Sequence, residues 1–444
     1  MSVLLDDDYK DGSGIPFMAL EGEGAEAKFS LTEEAKQFLS SLEAPIAIVA
    51  IVGRYRTGKS FLVNRMLLDV TGNGFQVGST VNSCTKGLWM WNRALKTKGQ
   101  DGSEVNVLVV DTEGIGSLDA DADHDAKIFA LALLLSSYFI YNSVGSIDET
   151  ALNNLSMVVE LTKHIRTRAS HESDAGEETG AEFASFFPSF LWVVRDFALM
   201  LVDEHGIPFS SKQYLERSLT PVSGFSEGVE VKNRIRRMLM AFFPNRDCAT
   251  LKRPIEDENH LQRIDRAPWE QLRPEFVQQV QVLHDCGTCA QLSISPLWAC
   301  LTFLYCVRGQ ALRSKIYTSA PVKSLNGRNL DGSMLCSLAE AYAAALNSGS
   351  SLNIGDAWSQ VPAQKDGAGT AVSPRLAARI TRLRSRDSDH ETRIARLGSQ
   401  DSDQETRIAR LGSRDSDLWL ETRIERLGSI DSDPRALSAH PSRR

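Results

Sequence analysis

One stretch of eight residues, Gly53-Arg54-Tyr55-Arg56-Thr57-Gly58-Lys59-Ser60, constrains this chain more than any other. It has the spacing G-x-x-x-x-G-K-[ST] of a phosphate-cradling loop, and it stands where that loop has to stand. Before it runs Pro45–Val52 (PIAIVAIV), a continuous apolar run of the kind expected for a strand buried on both faces. After it, Lys59–Leu68 reads as a short helix. Glycines let the backbone wrap a phosphate with several N–H groups pointing inward. Lys59 brings a cation to the β- and γ-phosphates, Ser60 offers a hydroxyl to Mg²⁺, and the helix N-terminus adds partial positive charge. Gly53, Tyr55, Arg56, Thr57, Gly58, Lys59, Ser60 and Phe61 are therefore the candidate phosphate and nucleotide contacts.

The surrounding pattern supplies the rest of such a site. Val105–Thr112 and Ser189–Asp196 are two further apolar runs that read as buried strands. Leu152, Leu155, Val159, Thr162 and Ile165 recur at helical spacing and predict an amphipathic helix between them. Strands alternating with helices imply an α/β fold with a mostly parallel sheet. Asp111-Thr112-Glu113-Gly114 closes one of these strands. A carboxylate at that edge can hold Mg²⁺, so Ser60 and Asp111 become candidate metal ligands, and Gly114 lets the backbone approach a γ-phosphate. The Asn-Lys-x-Asp base-reading signature is absent from the chain. Arg195-Asp196 stands at the end of SFLWVVRD instead. A carboxylate accepts from both N1–H and the exocyclic amine of guanine, whereas adenine presents an acceptor at N1 and is disfavoured.

Composition narrows the class. The 444 residues suggest about two or three domains, and 42% hydrophobic residues allow a large core. A net charge of −8 argues against a nucleic-acid polymer as partner. Seven irregularly spaced cysteines form no disulfide framework, and Cys286-x-x-Cys289 has no second pair beside it to make a metal site. The acidic N-terminus is unlike a signal peptide. Ile128–Tyr141 and Ile294–Val307 are shorter than the roughly 20 residues that span a bilayer. A cytoplasmic protein without a membrane anchor is the expectation.

Along the chain, 1–325 reads as the nucleotide-binding domain, with an atypical apolar, Cys-bearing insert near 283–310. Residues 326–361 read as the start of a helical domain, with helix Asp331–Asn347, and 362–374 as a linker. In 375–444 a unit of the form RIARLGSQDSDQET repeats: Ile380, Ile394 and Ile408 are 14 residues apart, and Ile424 follows 16 later. Two heptads per unit would allow a coiled coil, but Gly-Ser and Asp-Ser-Asp break the seam. A disordered or weakly helical tail is expected.

VAIVGRYRTGKSFLVN, GSTVNSCTKGLWMW, VVDTEGIG, KIFALALLLSSYFIYNSVG and FPSFLWVVRDF occur in this order. Together they make the chain resemble the guanylate-binding proteins, large GTPases of the dynamin superfamily. The resemblance covers roughly Phe17–Lys252 and resumes weakly over Leu312–Val361. It implies a P-loop GTPase domain followed by a short helical segment and the repetitive tail. It implies Mg²⁺-dependent hydrolysis of GTP, GTP and GDP as ligands, and nucleotide-dependent homodimers formed through the GTPase domains. Arg56 would be an arginine finger supplied from within the loop. Ser83 would position the attacking water, Thr85 would bind Mg²⁺, and Glu113 would join the water network. Arg195-Asp196 would recognise guanine, and Asp125 aligns with an acidic residue near the nucleotide. Cys84 departs from a common His, and the long helical stalk of relatives is mostly missing. An atlastin-like membrane-remodelling GTPase and a nucleotide-gated scaffold with little hydrolysis are the rival readings.

Overall fold

The fold is built on a nine-stranded sheet. Its strands are β1 (Gly14–Glu21), β2 (Lys28–Leu31), β3 (Ile46–Gly53), β4 (Leu88–Trp91), β5 (Leu95–Lys98), β6 (Glu104–Thr112), β7 (Tyr138–Val144), β8 (Ser189–Arg195) and β9 (Arg246–Thr250). This computed structural model describes residues 4–22, 28–43, 45–78, 86–99, 101–116, 122–155, 165–166, 187–224, 226–280, 312–325, 328–348 and 352–353. The chain divides into two units, Met1–Gln364 and Lys365–Arg444, and every described residue belongs to the first. The insert near 283–310, the linker, the repeat tail, Ser83, Cys84 and Thr85 lie outside the described residues.

Across the sheet the order is β9-β8-β7-β3-β6-β4-β1-β2, with β5 also paired to β6. The five strands from β9 to β6 run parallel. β1, β2, β4 and β5 form an antiparallel margin beyond them. All eight residues of β3 are buried because both faces of the sheet are covered. Successive side chains point to opposite faces. Ile46, Ile48, Ala50 and Val52 enter one core layer, and Ala47, Val49 and Ile51 enter the other.

The first layer is closed by α1 (Glu33–Ser40), α3 (Ala122–Leu135), α4 (Glu149–Asn154), α5 (Ser211–Ser218), α6 (Glu227–Phe242) and α9 (Gly332–Asn347). The second is closed by α2 (Lys59–Leu62), α7 (Pro274–Val280) and α8 (Leu312–Ser319). α9 follows the expected Asp331 start. Asp331 caps it by accepting from Met334 N–H at 2.8 Å, and Leu335, Leu338, Ala339 and Tyr342 sink into the first core. Gly332 has to be glycine-sized, since a Cβ there would collide with the carbonyl of Leu39.

The helix expected over Lys59–Leu68 is present but changes type within its length. α2 ends at Leu62 and gives way to a π-helical stretch, Val63–Leu68, which closes on Asp69 in the left-handed region (φ 54°). Of the helix expected over Leu152–Ile165, Leu152 lies in α4, which ends at Asn154, and only Ile165 is shown to lie in a strand instead. Ile165–Arg166 pairs parallel with Leu352–Asn353. Val159 and Thr162 lie outside the described residues. No described helix is long and apolar enough to cross a membrane.

Lys323 locks the base of the sheet. Its N–H donates to Ile46 O at 2.7 Å, and its buried Nζ donates to Leu134 O (2.8 Å) and Ser136 O (2.7 Å) at the end of α3. A cation there favours the helix C-terminus, while burial pushes the ammonium down to about 7.

Candidate functional site

Order reverses at β3. The chain leaves it toward β6 on one side and later reaches β7 on the other, so a crevice opens at the carboxyl ends of these strands. The Gly53–Ser60 loop leaves β3 at that crevice. It is tied to the exit of β6: Tyr55 N–H donates to Ile115 O at 2.9 Å, and Ile115 N–H to Gly53 O at 3.1 Å. Gly114 permits this approach, because a Cβ there would overlap Tyr55 Cα. Gly58 lies in the left-handed region (φ 73°), which glycine adopts without strain.

From the other side the loop rests on two strand ends. Asn142, fully buried at the end of β7, donates through Nδ2 to Thr57 O (3.1 Å) and Thr57 Oγ1 (2.8 Å). Arg195, ending β8, donates through Nη1 to Gly58 O (3.1 Å) and Thr57 O (3.4 Å), and its guanidinium lies 5.7 Å above the Phe61 ring. The Arg-Asp pair is thus divided. Arg195 points into the loop, while Asp196, at φ 55°, lines the cleft and leaves Oδ1 buried with no partner among the described residues.

Beneath the loop, Lys59 Nζ donates to Arg54 O at 3.3 Å. Burial lowers its pKa, against the pull of Asp111 and Glu113. Ser60 Oγ donates to Asp111 Oδ2 at 2.6 Å, and Asp111 Oδ1 is buried with no partner among the described residues. Desolvation raises the Asp111 carboxyl to about 6, with Lys59 opposing. A hydroxyl beside a half-unsatisfied carboxylate is a hard-oxygen donor set. It suits Mg²⁺, which takes one or two protein oxygens and fills its octahedron with water and phosphate.

Ten of the expected residues, Tyr55 to Phe61 together with Gly114, Arg195 and Asp196, line one cleft of about 520 Å³. Arg56 is exposed in the left-handed region (φ 61°), its guanidinium 5.1 Å from the Tyr55 ring. Glu113 is turned elsewhere. Its Oε2 accepts from Gly87 N–H at 3.0 Å and contacts His124 Nε2 at 3.2 Å. Asp125 Oδ2 accepts from Gly116 N–H at 2.7 Å and holds the loop after β6 to α3.

Sequence reasoning missed Asn142, His124 and the opposite wall of the cleft, which includes Arg253, Pro254, Leu261, Gln262 and Ile264. Asn142 carried a signal: it is the first amide after the apolar run Tyr138–Tyr141, at a strand end beside the loop. The far wall is some 200 residues from the loop in sequence and carries no comparable pattern.

Comparison with known proteins agrees with this architecture. The family described as "Guanylate-binding protein, N-terminal domain" matches residues 26–287. The chain is similar to guanylate-binding protein 6 of Mus musculus, 39% identical over 324 residues, which is 72% of this chain and 47% of that protein. Guanylate-binding protein 6 of Homo sapiens is 38% identical, over 72% of this chain and 45% of its own length. Guanylate-binding protein 1 of Chlorocebus aethiops is 42% identical, over 58% and 42%. The chain spans less than half the length of each of these relatives. A phosphate loop set between β3 and α2, and a family match across the domain that carries it, lead to one conclusion: the chain belongs to the guanylate-binding protein family.

Proposed function

We propose that this chain binds GTP with Mg²⁺ and hydrolyses its γ-phosphate, and that pairing of two GTPase domains stimulates the reaction. The observation that carries the reading is two buried carboxylate oxygens without a hydrogen-bond partner among the described residues, Asp111 Oδ1 beneath Ser60 and Asp196 Oδ1 in the cleft lining. The first suits a hydrated cation and the second suits guanine's two donors.

In this reading the loop's N–H groups and Lys59 hold the β- and γ-phosphates, while Ser60 and Asp111 hold the metal. Mg²⁺ bound there would neutralise charge on the phosphate oxygens. Asp196 reads N1–H and the exocyclic amine of the base, and Arg195 keeps the loop in its binding shape. Arg56 is exposed and free of ion pairs among the described residues, so it can turn from the Tyr55 ring toward the transferred phosphoryl group. By family resemblance, Ser83 orients the attacking water and Thr85 contributes to the metal. Glu113 joins that water only after its clamp to Gly87 and His124 opens.

Competition for a fluorescent guanine nucleotide tests the binding half of this proposal. GTP should displace it with Mg²⁺ present, and ATP should do so at least tenfold less well. Equal competition by ATP would overturn the guanine reading.

A further inference from the structure

Arg65 is 1% exposed and yet contacts no carboxylate directly among the described residues. Its Nη1 donates to Thr71 Oγ1, and its Nη2 faces three carbonyls of one turn: Ile264 O (3.5 Å), Asp265 O (3.3 Å) and Ala267 O. Its guanidinium also lies over two aromatic rings, 5.9 Å from the centre of Phe61 and 5.2 Å from that of Trp269. Asp265 O accepts a second bond, from Gly72 N–H at 3.1 Å.

The two segments this side chain joins both contribute to the lining of the cleft. Arg65 stands six residues after Lys59 on the helical segment that carries Lys59, Ser60 and Phe61. The turn it holds continues directly from Leu261, Gln262 and Ile264, which line the opposite wall. That turn has few apolar anchors of its own: Ile264 and Ala267 are buried, while Gln262, Arg263 and Arg266 are exposed. A planar guanidinium with five donors can span several carbonyls of one turn, which the single ammonium of lysine on its flexible stem cannot do in the same geometry.

We propose that Arg65 is a positioning residue that clamps the 264–267 turn onto the phosphate-binding helix and thereby sets the far wall of the nucleotide cleft. Its effect on nucleotide binding rests on the reading that the cleft takes GTP; the clamp itself does not.

The test uses the full chain with Arg65→Met and Arg65→Lys. Hydrogen exchange on the nucleotide-free protein reads the clamp alone. Arg65→Met should speed exchange of the 261–267 amides about tenfold or more while β3 amides stay unchanged, with Arg65→Lys intermediate. Unchanged exchange over 261–267 would overturn the clamp. In parallel, GTP affinity should fall about ten- to a hundred-fold in Arg65→Met, with tripolyphosphate affinity within about twofold. An equal loss for both ligands would mean that Arg65 merely supports the loop, and would overturn the positioning role. Should Arg65→Met not yield folded protein, Trp269→Leu removes one stacking face. It should raise 261–267 exchange in the same direction, and no change would again overturn the clamp. A parent protein that binds ATP as well as GTP would refute the guanine reading, while the exchange contrast still decides the clamp.

Discussion

Replacing Arg195 with Met separates anchoring of the phosphate loop from reading of the base. The guanidinium is 6% exposed, donates to Gly58 O at 3.1 Å and to Thr57 O at 3.4 Å, and stacks on Phe61. A hydrogen bond from a charged donor contributes about 1.5–3 kcal/mol, and a buried cation–π contact about 1 kcal/mol. The 3.4 Å bond sits at the weak end of hydrogen-bond geometry and adds little, so the total is about 2.5–4 kcal/mol. Without the anchor, the ligand itself has to order the loop, and the loss appears as roughly 70- to 800-fold in affinity. The assay is competition by GTP, XTP and tripolyphosphate against a fluorescent nucleotide. Arg195→Met should weaken all three by the same factor. Asp196→Asn should leave tripolyphosphate unchanged and shift preference from GTP toward XTP, because an amide supplies a donor for xanthine's extra carbonyl. A changed GTP-to-XTP ratio in Arg195→Met would refute the division of roles between the two residues.

Further outcomes follow from the same geometry. Lys59→Ala should abolish tight GTP binding, since the loop loses its buried cation; an unchanged titration would contradict this. Arg56→Ala should keep affinity while slowing single-turnover hydrolysis by up to about 10³–10⁵, the range of arginine fingers. Matching rates would exclude a catalytic role for Arg56. Lys323 gives a pH dependence. Its ammonium titrates at about 7 when folded against 10.5 when exposed, so between these values the unfolded chain holds the extra proton. Stability should therefore rise with pH across that window, by on the order of 3–5 kcal/mol in total. Urea unfolding at pH 7 and pH 9 should show about half of this rise, roughly 2 kcal/mol, in the parent and its loss in Lys323→Met.

How legible the molecule was depended on which residues leave a pattern. β3 and β6 were readable because strands buried on both faces are written as unbroken apolar runs; the run read as Val105–Thr112 is the strand Glu104–Thr112. α9 was readable because Asp331–Asn347 is rich in Ala and Leu, both strong helix formers. The antiparallel margin was not readable. β5 is only LKTK, and four residues of alternation are too few to separate a strand from a loop. The π-helical turn at Val63–Leu68 was hidden because the apolar spacing of one turn fits either helix. Within it, the Asn64 side chain bonds the backbone of Phe75 in both directions at 2.8 Å. Within the site, the loop residues were visible as a contiguous motif. The direction of Arg195, the prop supplied by Asn142 and the clamp at Arg65 were not, since each is made by residues between 80 and 200 positions apart.

The central claim is hydrolysis of GTP stimulated by pairing. Turnover of GTP and ATP with Mg²⁺, measured over a wide range of protein concentration, tests it most directly. The account predicts phosphate release from GTP with a rate per molecule that climbs with concentration, little release from ATP, and loss of the climb in Arg56→Ala. GTP that is bound but not turned over at any concentration would contradict it, and would leave the chain a nucleotide-gated scaffold.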